Sequence, residues 1–113
     1  MPHHLELEQW IGRNLYDAVP TAISVIGRDY RIVDANARFE QQFGEWEGKR
    51  CYEVYKGRMS PCLRCGMLET FVDGQVRDRQ EVGVITNGHS IDYLCHIVPL
   101  VRSNGDIPYV FEM

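Results

Sequence analysis

YRIVDANARFEQQF, residues 30–43, is where the chain passes from one hydrophobic periodicity to another. Residues 30–33 read as a short strand. Asp34 and Asn36 follow it, and either side chain can accept hydrogen bonds from the open amides at a helix start. Phe39 and Phe43 then lie four apart, on one face of that helix. Just ahead, residues 21–26 form a short apolar strand, and Gly27-Arg28-Asp29 leaves room for a tight antiparallel connection between the two strands.

Toward the N-terminus, Leu7, Trp10, Ile11, Leu15 and Ala18 recur at helical spacing, with Glu6, Glu8, Gln9, Arg13 and Asn14 on the other face. Pro20 stops this helix. Residues 1–20 are therefore expected to form an amphipathic helix that either lies as a lid on the sheet or pairs with a second subunit. Toward the C-terminus, Gly44 and Gly48 punctuate a turn that holds Trp46. Leu63, Met67, Leu68 and Phe71 make the apolar face of a further helix, closed by Asp73-Gly74. Three strands finish the chain, over residues 77–85, 89–100 and 107–112, with Asn87-Gly88 as the hairpin turn between the first two. In the middle one, Ile91, Tyr93, Cys95 and Ile97 alternate with Ser90, Asp92, Leu94 and His96, so Cys95 is expected to face the core.

With 113 residues and 44% hydrophobic content, the chain suffices for one layered core. The formal net charge is −4 with no long basic run, which argues against nucleic acid as a partner, since phosphate binding rests on clustered Lys and Arg. No apolar stretch nears the roughly 20 residues that cross a bilayer, and the start has no basic segment followed by an apolar one. The expectation is a cytoplasmic domain without direct membrane contact, whose parent protein could still be anchored elsewhere.

Cys51, Cys62 and Cys65 fall within fifteen residues, and Cys95 is the remaining thiol. A Cys-x2-Cys pair can share one metal ion, with Cys51 as a third ligand and Cys95, His96 or His89 as a fourth. An iron–sulfur cluster asks for the same sulfurs. Cys62 and Cys65 also suit a redox pair, because Cys62 follows Pro61 near a helix start, where open amides favour thiolate. Reduced, partly buried thiols serving as small apolar residues are the third reading, and all three stay open.

The strand, turn, strand and capped helix, followed by short helices and three closing strands, resemble a PAS sensor domain over nearly the whole chain. The resemblance implies an α+β fold: a five-stranded antiparallel sheet with short helices on one face and an N-terminal helix, the domain proper occupying residues 21–113. A subset of bacterial and archaeal PAS domains carries a similar segment, matched here by Gly48-Lys49, Cys51-Tyr52-Glu53 and Pro61-Cys62 with Cys65. The family's cavity lies between the inner sheet face and the short helices, which makes Tyr52, Tyr55, Met67, Phe71, Tyr93 and Cys95 candidates to line it. A homodimer is implied through the leading helix. Because such domains commonly run from the last strand into a signalling helix, the chain is expected to be a fragment of a longer protein, with a C-terminal histidine kinase as effector.

Haem is disfavoured, since haem-binding relatives supply a His before the third strand and residues 62–72 hold none. Flavin photochemistry is disfavoured too, because Asn36-Ala37-Arg38-Phe39 has Ala where photosensor relatives carry a reactive Cys. No phosphate-binding loop, nucleophile elbow or HExxH helix is present. The sequence therefore reads as a non-catalytic sensory module answering to a small ligand or to redox state. Its alternatives are a constitutive dimerisation domain with a filled core and a free-standing cysteine metal or redox site.

Overall fold

A computed structural model of the chain describes residues 2–62 and 65–113, with backbone alone for residues 2–4. Its elements are α1 (Pro2–Ala18), β1 (Ser24–Gly27), β2 (Ile32–Ala35), α2 (Ala37–Phe43), α3 (Cys51–Lys56), α4 (Gly66–Asp73), β3 (Arg77–Val84), β4 (Ser90–Leu100) and β5 (Tyr109–Glu112). The strands form one antiparallel sheet in the order β2-β1-β5-β4-β3. The two opening strands thus stand beside the last, which takes the centre.

Boundaries differ from expectation where side chains or turns claim backbone groups. β1 begins at Ser24 rather than residue 21, because Asn36 takes the preceding groups: its Oδ1 accepts from the Ile23 N–H at 2.9 Å and its Nδ2 donates to the Thr21 carbonyl at 2.9 Å. β2 begins at Ile32 rather than residue 30. Tyr30 has φ 72° and belongs to the turn, its N–H donating to the Gly27 carbonyl at 3.0 Å. Asp34 consequently sits inside β2, opposite Val25, and leaves the α2 cap to Asn36. β5 starts at Tyr109, after Pro108, which has no N–H to give a ladder. β3 and β4 fall within one residue of expectation, around a turn in which Gly88 has φ 84°.

The register lays Ser24, Glu112, Ile97 and Arg77 in one row across four strands. Because side chains alternate along a strand, this row and its neighbours two residues away share the inner face. Ile26, Val110, Cys95 and Ile97 are buried there against Phe39 of α2, Val54 and Tyr55 of α3, and Met67 and Phe71 of α4. Gly83 lets β3 meet α3 closely: a Cβ at that position would lie 2.7 Å from the Tyr55 carbonyl oxygen.

The N-terminal helix does not form a lid. Leu7, Trp10 and Leu15 are 54%, 64% and 61% exposed. Its ties to the body cluster at its C-terminal end: Arg13 stands 3.6 Å from Asp34, the Tyr16 carbonyl accepts from Asn36 Nδ2 at 2.7 Å, and Asp17 Oδ1 accepts from the Ala37 N–H at 3.0 Å. An attachment at one end leaves the apolar stripe in solvent. Leu63, expected on the face of the fourth helix, lies outside the described residues, and Leu68 of that face is partly exposed. Among the described residues no helix is long and apolar enough to cross a membrane.

Candidate functional site

α3 is short and fixed at both ends. The Arg50 N–H donates to Glu53 Oε1 at 3.1 Å, and Gly57, left-handed at φ 62°, returns its N–H to the Glu53 carbonyl at 3.0 Å. Cys51 and Tyr55, four residues apart, therefore share one face and turn inward. α4 opens at Cys65, its N-cap residue, and closes at Gly74, whose N–H donates to the Thr70 carbonyl at 2.8 Å. This corrects the placement of the thiol near a helix start: the cap position is held by Cys65, not Cys62.

Between these helices and the inner face of β3, β4 and β5 lies a cavity of about 70 Å³. Of the residues expected to line it, Tyr52, Tyr55, Met67, Tyr93 and Cys95 do so. Phe71 does not; it is buried one turn further along α4, where the Arg28 guanidinium lies 4.7 Å over its ring. Cys51, Cys62 and Cys65 join Cys95 on the cavity wall, so all four thiols converge on one space, each unpaired. Yet among the described residues no group of three or more His, Cys, Asp or Glu side chains is placed to hold a metal ion. His96, considered as a fourth ligand, points to the outer face and pairs with Asp78, and His89 is exposed beside the hairpin turn.

Burial pushes the Cys51 and Cys95 thiols well above their ordinary range, and the Glu112 carboxylate pushes them further. At Cys65 the amides of Leu68 and Met67 favour thiolate, but desolvation outweighs them and its pKa rises as well. These three cysteines are thus protonated thiols at neutral pH, weak as nucleophiles and as ready-made ligands.

The polar groups of the site come from residues the sequence reading passed over. Glu112 lines the cavity from the central strand, and its Oε1 accepts from the Cys95 thiol at 3.1 Å. Desolvation raises its pKa, opposed by the Cys95 hydrogen bond. Lys56 of α3 and Glu81 of β3 line the same space and form a partly buried ion pair with each other. The Tyr55 hydroxyl shares a 2.7 Å hydrogen bond with Ser24 Oγ, and the Tyr55 and Tyr93 rings stack at 5.9 Å. The signal for Glu112 was its parity: it stands two residues from the fully buried Val110, on the inward side of a strand.

A central antiparallel sheet, helices on one face and a cavity between them define a sensory domain of the PAS type. The PAS fold family matches residues 16–113, and the chain belongs to that family. No curated protein matches it by sequence. Among solved structures, an RNA-binding light-oxygen-voltage receptor superposes with a TM-score of 0.78 at 18% identity, over 95% of this chain and 32% of its own. This chain therefore spans about a third of that receptor. The PAS domain of an HTR-like protein from Haloarcula marismortui superposes at 0.68 and 19% identity, over 99% of this chain and 95% of its own. VqmA with DPO bound superposes at 0.69 and 18% identity, over 94% of this chain and 54% of its own. At such identities the likeness is one of fold.

Proposed function

We propose that this PAS domain is the cytoplasmic input module of a sensor histidine kinase, and that a small molecule entering the cavity is its signal. The observation that carries the reading is the cavity itself: it is walled by aromatic and thiol side chains and holds a carboxylate whose sole protein donor among the described residues is a thiol. Specific small-molecule sites share that make-up of apolar walls with a few convergent polar groups. VqmA with DPO bound is a PAS-like neighbour that supports it by analogy. The chain binds rather than catalyses. Its exposed α1 stripe pairs with that of a second copy, and cavity occupancy shifts the balance between two dimer packings.

The convergence of all four thiols favours one second reading, in which a metal, a cluster or a Cys62–Cys65 disulfide is the sensing centre and the cysteine segment marks a subfamily. Metal and iron analysis with an absorbance spectrum, on protein purified without oxygen or a metal-binding tag, decides between the cavity reading and the metal or cluster form of the second. The expected result is colourless, metal-free protein. About one zinc or visible cluster absorption per chain, lost in Cys62→Ser, would transfer the sensing role to the thiols.

A further inference from the structure

We infer that the molecule this cavity takes is a small alkylammonium, its protonated amine held by Glu112. The inference rests on the sensory reading above and adds the chemical class of the ligand. An ionised carboxylate has about four acceptor sites, and Glu112 uses one, for the weakly donating Cys95 thiol at 3.1 Å. Among the described residues no Arg, Lys, His or backbone N–H donates to it. The neighbouring ammonium of Lys56 is committed to Glu81. Glu112 is partly buried, and a carboxylate with reduced access to water and no cation or multiple donor bonded to it is costly; a ligand that brings three N–H donors and a positive charge lowers that cost.

Charge and wall chemistry point the same way. Among the described residues two carboxylates and one ammonium face the cavity, a balance complementary to a cation rather than an anion. The rings of Tyr52, Tyr55 and Tyr93 line it, and aromatic faces attract alkylammonium groups. Size sets the remaining limit. A water-sized probe needs about 10–15 Å³ of such volume, so the cavity of about 70 Å³ admits roughly five to seven non-hydrogen atoms.

The test compares three probes of one shape, isobutylammonium chloride, isobutanol and sodium isobutyrate, each titrated at neutral pH into ¹⁵N-labelled protein and followed by amide chemical shifts. Isobutylammonium is expected to saturate shifts at Cys95, Glu112 and Tyr93, binding roughly tenfold or more tightly than isobutanol, while isobutyrate leaves those signals in place. Glu112→Gln is expected to bring isobutylammonium and isobutanol to equal affinity. Isobutanol or isobutyrate binding the cavity as tightly as the ammonium would overturn the ligand class and leave the sensory cavity standing, as would ammonium shifts confined to the acidic surface around Glu45 and Glu47. If none of the three probes, nor xenon as an apolar control, perturbs the cavity signals, both the class and the cavity reading fall. The wild-type series decides the matter even if the variant does not fold.

Discussion

Asn36 shows how much one side chain can hold. It is fully buried and makes four hydrogen bonds: its Oδ1 accepts from the Phe39 and Ile23 amides, and its Nδ2 donates to the Tyr16 and Thr21 carbonyls. It therefore caps α2, ends the approach to β1 and ties α1 to the body at once. Asn36→Ala leaves buried donors and acceptors unsatisfied and is expected to cost about 3 kcal/mol, read from denaturant unfolding. Asn36→Asp should cost as much, because it turns carboxylate oxygen toward two carbonyls. A loss near that of an exposed cap, about 1 kcal/mol, would contradict this account. Glu112 is the opposite case, a residue that costs stability. Burial raises its folded pKa above the ordinary glutamate value of about 4.3. Below that value it is protonated in both folded and unfolded chains and costs nothing; as pH climbs through the folded pKa the unfolded chain is favoured, so stability falls and stays lower. Glu112→Gln should melt above wild type at mildly alkaline pH and level with it near pH 4. Parallel melting curves across that range would refute the assignment.

The elements were legible in proportion to how local their cause is. The hairpin at Asn87-Gly88, the Gly74 cap and the alternation along β4 each follow from a few neighbouring residues, and each stands where the sequence puts it. The start of β1 and the place of Asp34 were not legible, because they depend on Asn36 reaching back across residues 21–23. Cavity residues on β4 were found from their inward parity, whereas Lys56, Glu81 and Glu112 were missed because charged side chains are ordinarily assigned to solvent. The closeness of α3 and β3 was also hidden, since it appears only when Gly83 is seen against the Tyr55 carbonyl. Gly83→Ala should force the two apart and cost about 1–3 kcal/mol in urea unfolding; no change would mean the contact is slack. α1 asks for a different experiment. Its stripe of Leu7, Trp10, Ile11 and Leu15 stays in solvent in a single chain. Trp10→Glu is expected to weaken self-association by roughly tenfold to a hundredfold in sedimentation equilibrium, which is what losing about 1.5–3 kcal/mol of apolar burial implies. An unaltered dimer would place the interface elsewhere.

Topology gives the whole molecule a strong asymmetry between its two ends. β5 is the last strand in the chain and the middle strand of the sheet, paired with β1 through Ser24–Glu112 to Gly27–Tyr109 and with β4 through Ile97–Glu112 to Leu100–Tyr109. The sheet is therefore two hairpins, β1-β2 and β3-β4, joined through a strand that comes last, so its closure waits on pairing between β1 and β5, from opposite ends of the chain. The same strand carries Glu112 into the cavity, so a ligand of the kind proposed above would touch the strand that joins both halves. Removing residues 109–113 deletes two ladders, each bond worth about 1 kcal/mol net, together with the burial of Val110 at about 2 kcal/mol. That loss is comparable with the entire stability of a domain of this size, about 5–15 kcal/mol. The truncated chain is expected to show no cooperative thermal transition by circular dichroism. Removing residues 2–11, which keeps Arg13, Tyr16 and Asp17 and their bonds to the body, should leave the transition cooperative and close to its original midpoint. A chain that still melts cooperatively without β5 would mean that the two hairpins pack on the helices by themselves, and the central strand could not then be the element through which the cavity communicates.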